Sequence, residues 1–204
     1  ISGCIISFGS LFLAGQIAND LTDNFEDRNP TIEIWFLALA LLLNYEDDRV
    51  LLGLKNRGLP GNQAISISVG LVVLFGAAGL FDPLNQRAVS LFVIGTLYNL
   101  SREIIKDVED MDGDKGRHTY AMRVGADKAR LTSWVILLIT LVALLAPFAM
   151  GVFELLHIIF LAPGLFTLMN EKKHIYLAED TAASKMIKTS MTLTMVGLIL
   201  AAII

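Results

Sequence analysis

Uncharged, apolar stretches recur along this chain at lengths that suit a bilayer. Residues 1–19, 58–81, 88–101, 131–153, 155–170 and 189–204 each lack Asp, Glu, Lys and Arg. One crossing takes about 20 apolar residues, or roughly 17 at the short end. The run from Ala88 to Ser101 continues helically into Arg102, so its helix is longer than its charge-free part. None of the runs alternates as a barrel strand does, and all are rich in Leu, Ile, Ala and Val. The pattern predicts an all-α, multi-pass transmembrane helical bundle. Pro147 and Pro163 lie near or inside two of the spans, which membrane helices tolerate. Residues 1–19 have no basic flank and run straight into acidic residues, which is unlike a signal peptide.

Composition agrees. Of 204 residues, 54% are hydrophobic and 18% charged, against about 25% charged in an ordinary soluble domain. The mean hydropathy is +0.62. These values exclude a disordered chain and argue against a water-soluble enzyme. The single cysteine, Cys4, permits no intrachain disulfide or multi-cysteine zinc site, and reads as a small buried hydrophobe. Twenty acidic and sixteen basic residues leave a net charge of −4, which gives no support for nucleic-acid binding.

The few charges are sorted. Residues 101–130 hold Arg102, Lys106, Lys115, Arg117, Arg123, Lys128 and Arg130. Lys172, Lys173, Lys185 and Lys188 form a second cluster, and Arg49, Lys55 and Arg57 a third. The 82–87 connection has one Arg, and 151–154 has no Lys or Arg. The positive-inside rule puts the three rich loops in the cytoplasm of a cell-membrane protein.

Two acidic motifs carry the chemistry. Asn19-Asp20-Leu21-Thr22-Asp23 leads on to Asp27, and Asp107-Val108-Glu109-Asp110 leads on to Asp114. Each is D-x-x-D-x-x-x-D, and spacings of three and four put all three carboxylates on one helical face. Each stripe ends an apolar run. Six converging carboxylates repel unless cations neutralise them, and hard oxygen donors select Mg²⁺ or Ca²⁺ over Zn²⁺. Mg²⁺ takes few carboxylates and leaves positions for phosphate oxygens. Two stripes therefore fit a polyphosphate held between metal ions, with Asp20, Asp23, Asp27, Asp107, Asp110 and Asp114 as ligands. Arg28 follows the first stripe, and Arg102, Lys106 and Lys115 surround the second, ready to bind the remaining phosphate oxygens. EF-hand spacing is absent.

These residues resemble the UbiA superfamily of intramembrane prenyltransferases. The N-D-x-x-D-x-x-x-D motif is matched by Asn19, Asp20, Asp23 and Asp27, and the second motif by Asp107, Asp110 and Asp114. Tyr98 and Arg102 look like the family's Tyr-x-x-x-Lys/Arg element. Leu54-Lys55 and Gly61-Asn62 match a Leu-Lys…Gly-Asn loop, and Asp180 to Met191 resembles the entry to the last family helix. Within the superfamily, Ser101-Arg102-Glu103-Ile104-Ile105-Lys106-Asp107-Val108-Glu109-Asp110 looks most like the archaeal digeranylgeranylglyceryl phosphate synthases.

The resemblance implies a single transmembrane prenyltransferase domain over residues 1–204 and a family bundle of about nine helices. Here there are six clear spans plus a fragment, residues 34–45, which is short for a crossing. Loop 45–64 is cytoplasmic in that family, as loop 19–30 should be, and two loops on one side need an even number of crossings between them. The expectation is that an N-terminal helix and a stretch near 30–31 are missing. The implied activity is Mg²⁺-dependent transfer of a prenyl group, geranylgeranyl by the subfamily motif, from a prenyl diphosphate to geranylgeranylglyceryl phosphate. Asp23, Asp110 and Asp114 would be catalytic, while Asn19, Arg28, Lys55, Asn62, Tyr98, Arg102, Lys106 and Lys115 would bind substrate. Phe8, Phe12, Phe92 and Tyr98 are candidates for the wall of an apolar chamber, with helix packing the simpler role for each Phe.

Alternatives differ in acceptor or in class. Quinone-type members prenylate an aromatic acid such as 4-hydroxybenzoate and share the acidic motifs. A CDP-alcohol phosphotransferase pattern is approached around Glu109-Asp110-Met111-Asp112-Gly113, but with Glu for the first Asp, and its later D-x3-D is missing. A cation or lipid transporter would place its acids nearer the midplane. His157 reads as a packed helix residue and His118 as a loop residue near the mouth.

Overall fold

A computed structural model describes residues 30–46, 53–80, 82, 84–113 and 118–204. Among them seven α-helices occur in order: α1 Pro30–Glu46, α2 Leu59–Ala78, α3 Gln86–Glu109, α4 Tyr120–Val124, α5 Ala126–Ala149, α6 Ala162–Tyr176 and α7 Asp180–Ile203. Two 3₁₀ turns, Leu54–Asn56 and Leu155–Leu161, precede α2 and α6. There is no strand among the described residues.

Four helices, α2, α3, α5 and α7, are long and apolar enough to cross a membrane. They have 20 or 24 residues, about 30–36 Å at 1.5 Å per residue, and so match the hydrocarbon core of a bilayer. Their outward faces are apolar: Val72, Val142, Leu131 and Ile199 are all more than half exposed. Water would penalise such faces, whereas lipid does not. The fragment read at residues 34–45 is part of the 17-residue helix α1. Its Ile34, Ala38 and Leu41 pack on Leu71 and Leu74 of α2.

The run at 155–170 is not one helix. Leu155–Leu161 is a 3₁₀ turn, and α6 starts at Ala162 with Pro163 in its first turn. Proline suits that position because the first helical N–H groups have no partner inside the helix. Pro147 does lie inside α5, near its end, and its carbonyl accepts from the backbone N–H of Val152 at 2.8 Å.

Helix α3 is central, packing against α2, α5 and α7. Its start is fixed by Asn85, whose side chain accepts the Ala88 N–H at 2.8 Å. Ile94, Ile105, Leu137, Leu168, Ile187 and Leu198, buried to 1% exposure or less, form the main core between α3, α5, α6 and α7. Close approach to α2 is permitted by Gly70, where a Cβ would strike the Thr96 hydroxyl of α3.

Candidate active site at the end of helix α3

The last turn of α3 carries the described part of the second acidic stripe. Asp107 is half-buried, and Asp110 is the exposed C-cap residue. Asp114 and Lys115 lie outside the described residues, as do Asn19, Asp20, Asp23, Asp27 and Arg28 of the first motif. Phe8, Phe12 and Cys4 also lie outside them.

Asp107 is held from two other elements. The Asn62 side-chain amide of α2 donates to its Oδ2 at 2.8 Å, and the Tyr120 backbone N–H donates to the same oxygen at 3.2 Å. The local folding explains both. Helix α2 runs antiparallel to α3, so its first turn meets the last turn of α3. Gly61 lets the preceding 3₁₀ turn lie on α2, since a Cβ there would collide with the Leu54 carbonyl oxygen. Thr119 caps α4 by accepting the Met122 N–H at 3.4 Å, which sets the chain so that Tyr120 N–H faces Asp107.

Arg102, Lys106 and Asp110 follow at intervals of four on α3 and share a face. The Arg102 guanidinium pairs with Glu103 at 2.9 Å, and its buried Nε has no hydrogen-bond partner among the described residues. Lys106 is half-buried in the last turn and forms no ion pair among the described residues. Lys55 sits in the 3₁₀ turn before α2, half-buried.

Tyr98 is one turn below Arg102 but does not join these cations. It is fully buried, and its hydroxyl lies 3.0 Å from Ser190 Oγ and 3.1 Å from Thr194 Oγ1 of α7. The structure therefore puts Tyr98 in a helix interface, where sequence matching had grouped it with substrate contacts. Phe92 packs partly buried on the α1–α2 side of α3. His157 contacts the Ala201 carbonyl through Nδ1 at 3.2 Å, as a packed residue does, and His118 is exposed.

The pairings on the α7 side of this helix end were not legible from motifs. Thr181 donates to Glu109 Oε1 at 2.8 Å. Arg130 of α5 grips Asp180 with two bonds, Nε to Oδ1 at 2.8 Å and Nη2 to Oδ2 at 2.6 Å. Arg130 and Asp180 are 50 positions apart, and Glu109 and Thr181 are 72 apart, so no spacing rule reaches either pair. Glu109, Asp112, Arg130, Asp180 and Thr181 line a cleft of about 700 Å³ here. Deep between the helices, Glu171 of α6 is fully buried, and neither carboxylate oxygen has a hydrogen-bond partner among the described residues.

No three His, Cys, Asp or Glu side chains converge on one point among the described residues. The donors that are described nevertheless fit a hard divalent cation. They are carboxylates, Asp107 and Asp110, and one is oriented by a neutral amide in the way ligating carboxylates are held.

An apolar helical bundle with carboxylates and cations gathered at one helix end defines an integral membrane protein with a charged helix end. The chain belongs to the UbiA prenyltransferase family, whose sequence profile matches residues 27–196. It is similar to the digeranylgeranylglyceryl phosphate synthase of Haloquadratum walsbyi, 32% identical over 166 residues, covering 79% of this chain and 54% of the relative. It is also similar to the proteins of the same name from Methanosarcina mazei, 38% identical over 108 residues (52% of this chain, 37% of the relative), and Korarchaeum cryptofilum, 29% identical over 159 residues (72% and 54%). The chain thus spans about half the length of the first of these relatives. No solved structure matches it.

Proposed function

We propose that this protein catalyses Mg²⁺-dependent transfer of a geranylgeranyl group from its diphosphate to geranylgeranylglyceryl phosphate, at the cytoplasmic side of the cell membrane. The observation that carries the reading is the convergence at the end of α3: Asp107 fixed by Asn62 and Tyr120, with Asp110, Lys106 and Arg102 on the adjoining face. Family membership and the names of the relatives supply the reaction and the substrates.

Asp107, Asp110 and Asp114, together with Asp20, Asp23 and Asp27, would hold the metal, with Asn19 as a neutral oxygen donor. Bound there, Mg²⁺ would offset the negative charge of the diphosphate as it departs. Lys106, Arg102, Lys55, Lys115 and Arg28 would donate charge-assisted hydrogen bonds to diphosphate oxygens. The allylic carbon–oxygen bond breaks, diphosphate carries away the bonding electrons, and the acceptor hydroxyl oxygen bonds to the allylic carbon with loss of its proton. The apolar helices keep water, the competing nucleophile, away from the electron-deficient carbon.

The test is purified protein in detergent with Mg²⁺ and labelled geranylgeranyl diphosphate, offered geranylgeranylglyceryl phosphate and 4-hydroxybenzoate together. Label in the glyceryl phosphate lipid is the expected result. Label in the aromatic acid would move the protein to the quinone-type branch, and label in neither would reject the reading.

A further inference from the structure

A buried polar seam runs along the α2–α3 interface and ends at the acidic stripe. Asn99 Nδ2 of α3 donates to Ser66 Oγ of α2 at 3.3 Å. Ser66 Oγ donates to the Asn62 carbonyl at 2.6 Å, and the Asn62 side chain reaches Asp107 at 2.8 Å. Ser66 is completely buried, Asn99 is 6% exposed and Asn62 is 8% exposed. Burying three polar side chains at a helix interface is costly unless their bonds are made, so their positions are tightly set. Ser66 bonds the Asn62 backbone carbonyl one turn back on α2, and Asn99 reaches Ser66 across the interface, so the two fix how the turn that carries Asn62 sits on α3. With Asn62 and Tyr120 both donating to Oδ2, the Asp107 carboxylate is held from two other elements.

We propose that Asn62 is a positioning residue for Asp107, locked by Ser66 and Asn99, and acts on the bound metal rather than on the substrate. The proposal rests on the metal-binding reading of the acidic stripe. It assigns the Gly61-Asn62 element a different task from the substrate contact that the resemblance implied. Gly61 allows the close approach, and Asn62 orients a ligand.

Outer-shell partners of metal ligands typically change affinity or activity about 10- to 100-fold when removed. The full chain in detergent, with inorganic diphosphate present, is titrated with Mn²⁺ and followed by electron paramagnetic resonance. Asn62→Leu, close in shape but without a donor, should weaken Mn²⁺ binding about 10-fold or more. At saturating Mn²⁺ its KM for prenyl diphosphate should stay near that of the unaltered protein. Asn99→Ala, at the far end of the seam, should weaken Mn²⁺ binding by a smaller factor, and it serves as the reading if Asn62→Leu does not fold. Asp107→Ala is the control for the underlying assumption. If Asp107→Ala weakens Mn²⁺ binding and neither seam variant does, the positioning role is wrong. A raised KM at saturating metal, with unchanged Mn²⁺ affinity, would return Asn62 to direct substrate contact. If Asp107→Ala itself leaves Mn²⁺ binding unchanged, the metal-site reading fails.

Discussion

Helix α3 makes polar contacts on two sides, and they end differently. Toward α5 and α7 they close on themselves. Ser101 and Ser133 sit 2.7 Å apart, each also donating to the other's backbone carbonyl, and Tyr98 meets Ser190 and Thr194. Ser190 in turn donates to the Gly164 carbonyl of α6 at 2.8 Å. These hydroxyls are satisfied within the helix interface; the charged contact on this side, Thr181 with Glu109, lies apart from them at the end of α3. Toward α2 the contacts lead outward, from Asn99 through Ser66 and Asn62 to a carboxylate at the helix end. Similar residue types therefore serve two purposes. Closed contacts fix how helices pack where lipid gives little hydrophobic drive for association. The open chain sets a charged oxygen where the bundle meets water.

Substitutions can break this contrast, and the largest effect should fall at the open end. Asp110→Ala should lower prenyl transfer by about 100-fold or more, as losing one preorganised electrostatic contact commonly does, while the thermal midpoint stays close to that of the parent. Asp110 is exposed and caps a helix already formed, so a substantial loss of stability there would mean that the end of α3 is structural. Next in size is the Arg130–Asp180 pair, whose side chains are about 15% exposed. Asp180→Ala should cost about 1–3 kcal/mol, between the limits for surface and buried pairs, read as a lowered unfolding midpoint in detergent.

Glu171 sharpens the comparison from the other direction. It is a buried polar group that neither network satisfies. Glu171→Leu should leave activity in place and raise the unfolding midpoint, because an unpartnered buried group costs about 1–3 kcal/mol. A fall in stability would mean that its carboxyl has a partner in the folded protein. The smallest effect belongs to the closed side. Tyr98→Phe should cost about 1 kcal/mol of stability and change transfer by only a few-fold. A loss as large as that of Asp110→Ala would restore the substrate contact inferred from its place four residues before Arg102.

The sequence made the bodies of the spans legible but not their ends. Charge-free runs mark where a helix lies in hydrocarbon, whereas helices end where backbone hydrogen bonding ends. So α3 carries on through Arg102, Glu103 and Lys106 to Glu109, and α7 starts at Asp180, nine residues before the uncharged run at 189. The run at 155–170 misled for the same reason: hydropathy is continuous there, but the backbone changes from 3₁₀ to α-helix before Pro163. At the site, the face shared by Asp107 and Asp110 followed from spacing alone, because both lie on one helix. Asn62 and Asp107, 45 positions apart, meet only because α2 and α3 pack antiparallel. That packing was not encoded in any local pattern, so both residues could be found by motif but their pairing could not.

The central claim is that the acid-bearing end of α3 binds a metal-complexed prenyl diphosphate and releases diphosphate. Diphosphate release on adding geranylgeranyl diphosphate and acceptor to the purified protein tests it most directly, with Mg²⁺, with EDTA, and with Mg²⁺ restored. The account predicts release with Mg²⁺, none in EDTA, recovery on restoration, and release lower by about 100-fold or more from Asp110→Ala with Mg²⁺. Release that persists in EDTA, or that is undiminished in Asp110→Ala, would contradict it.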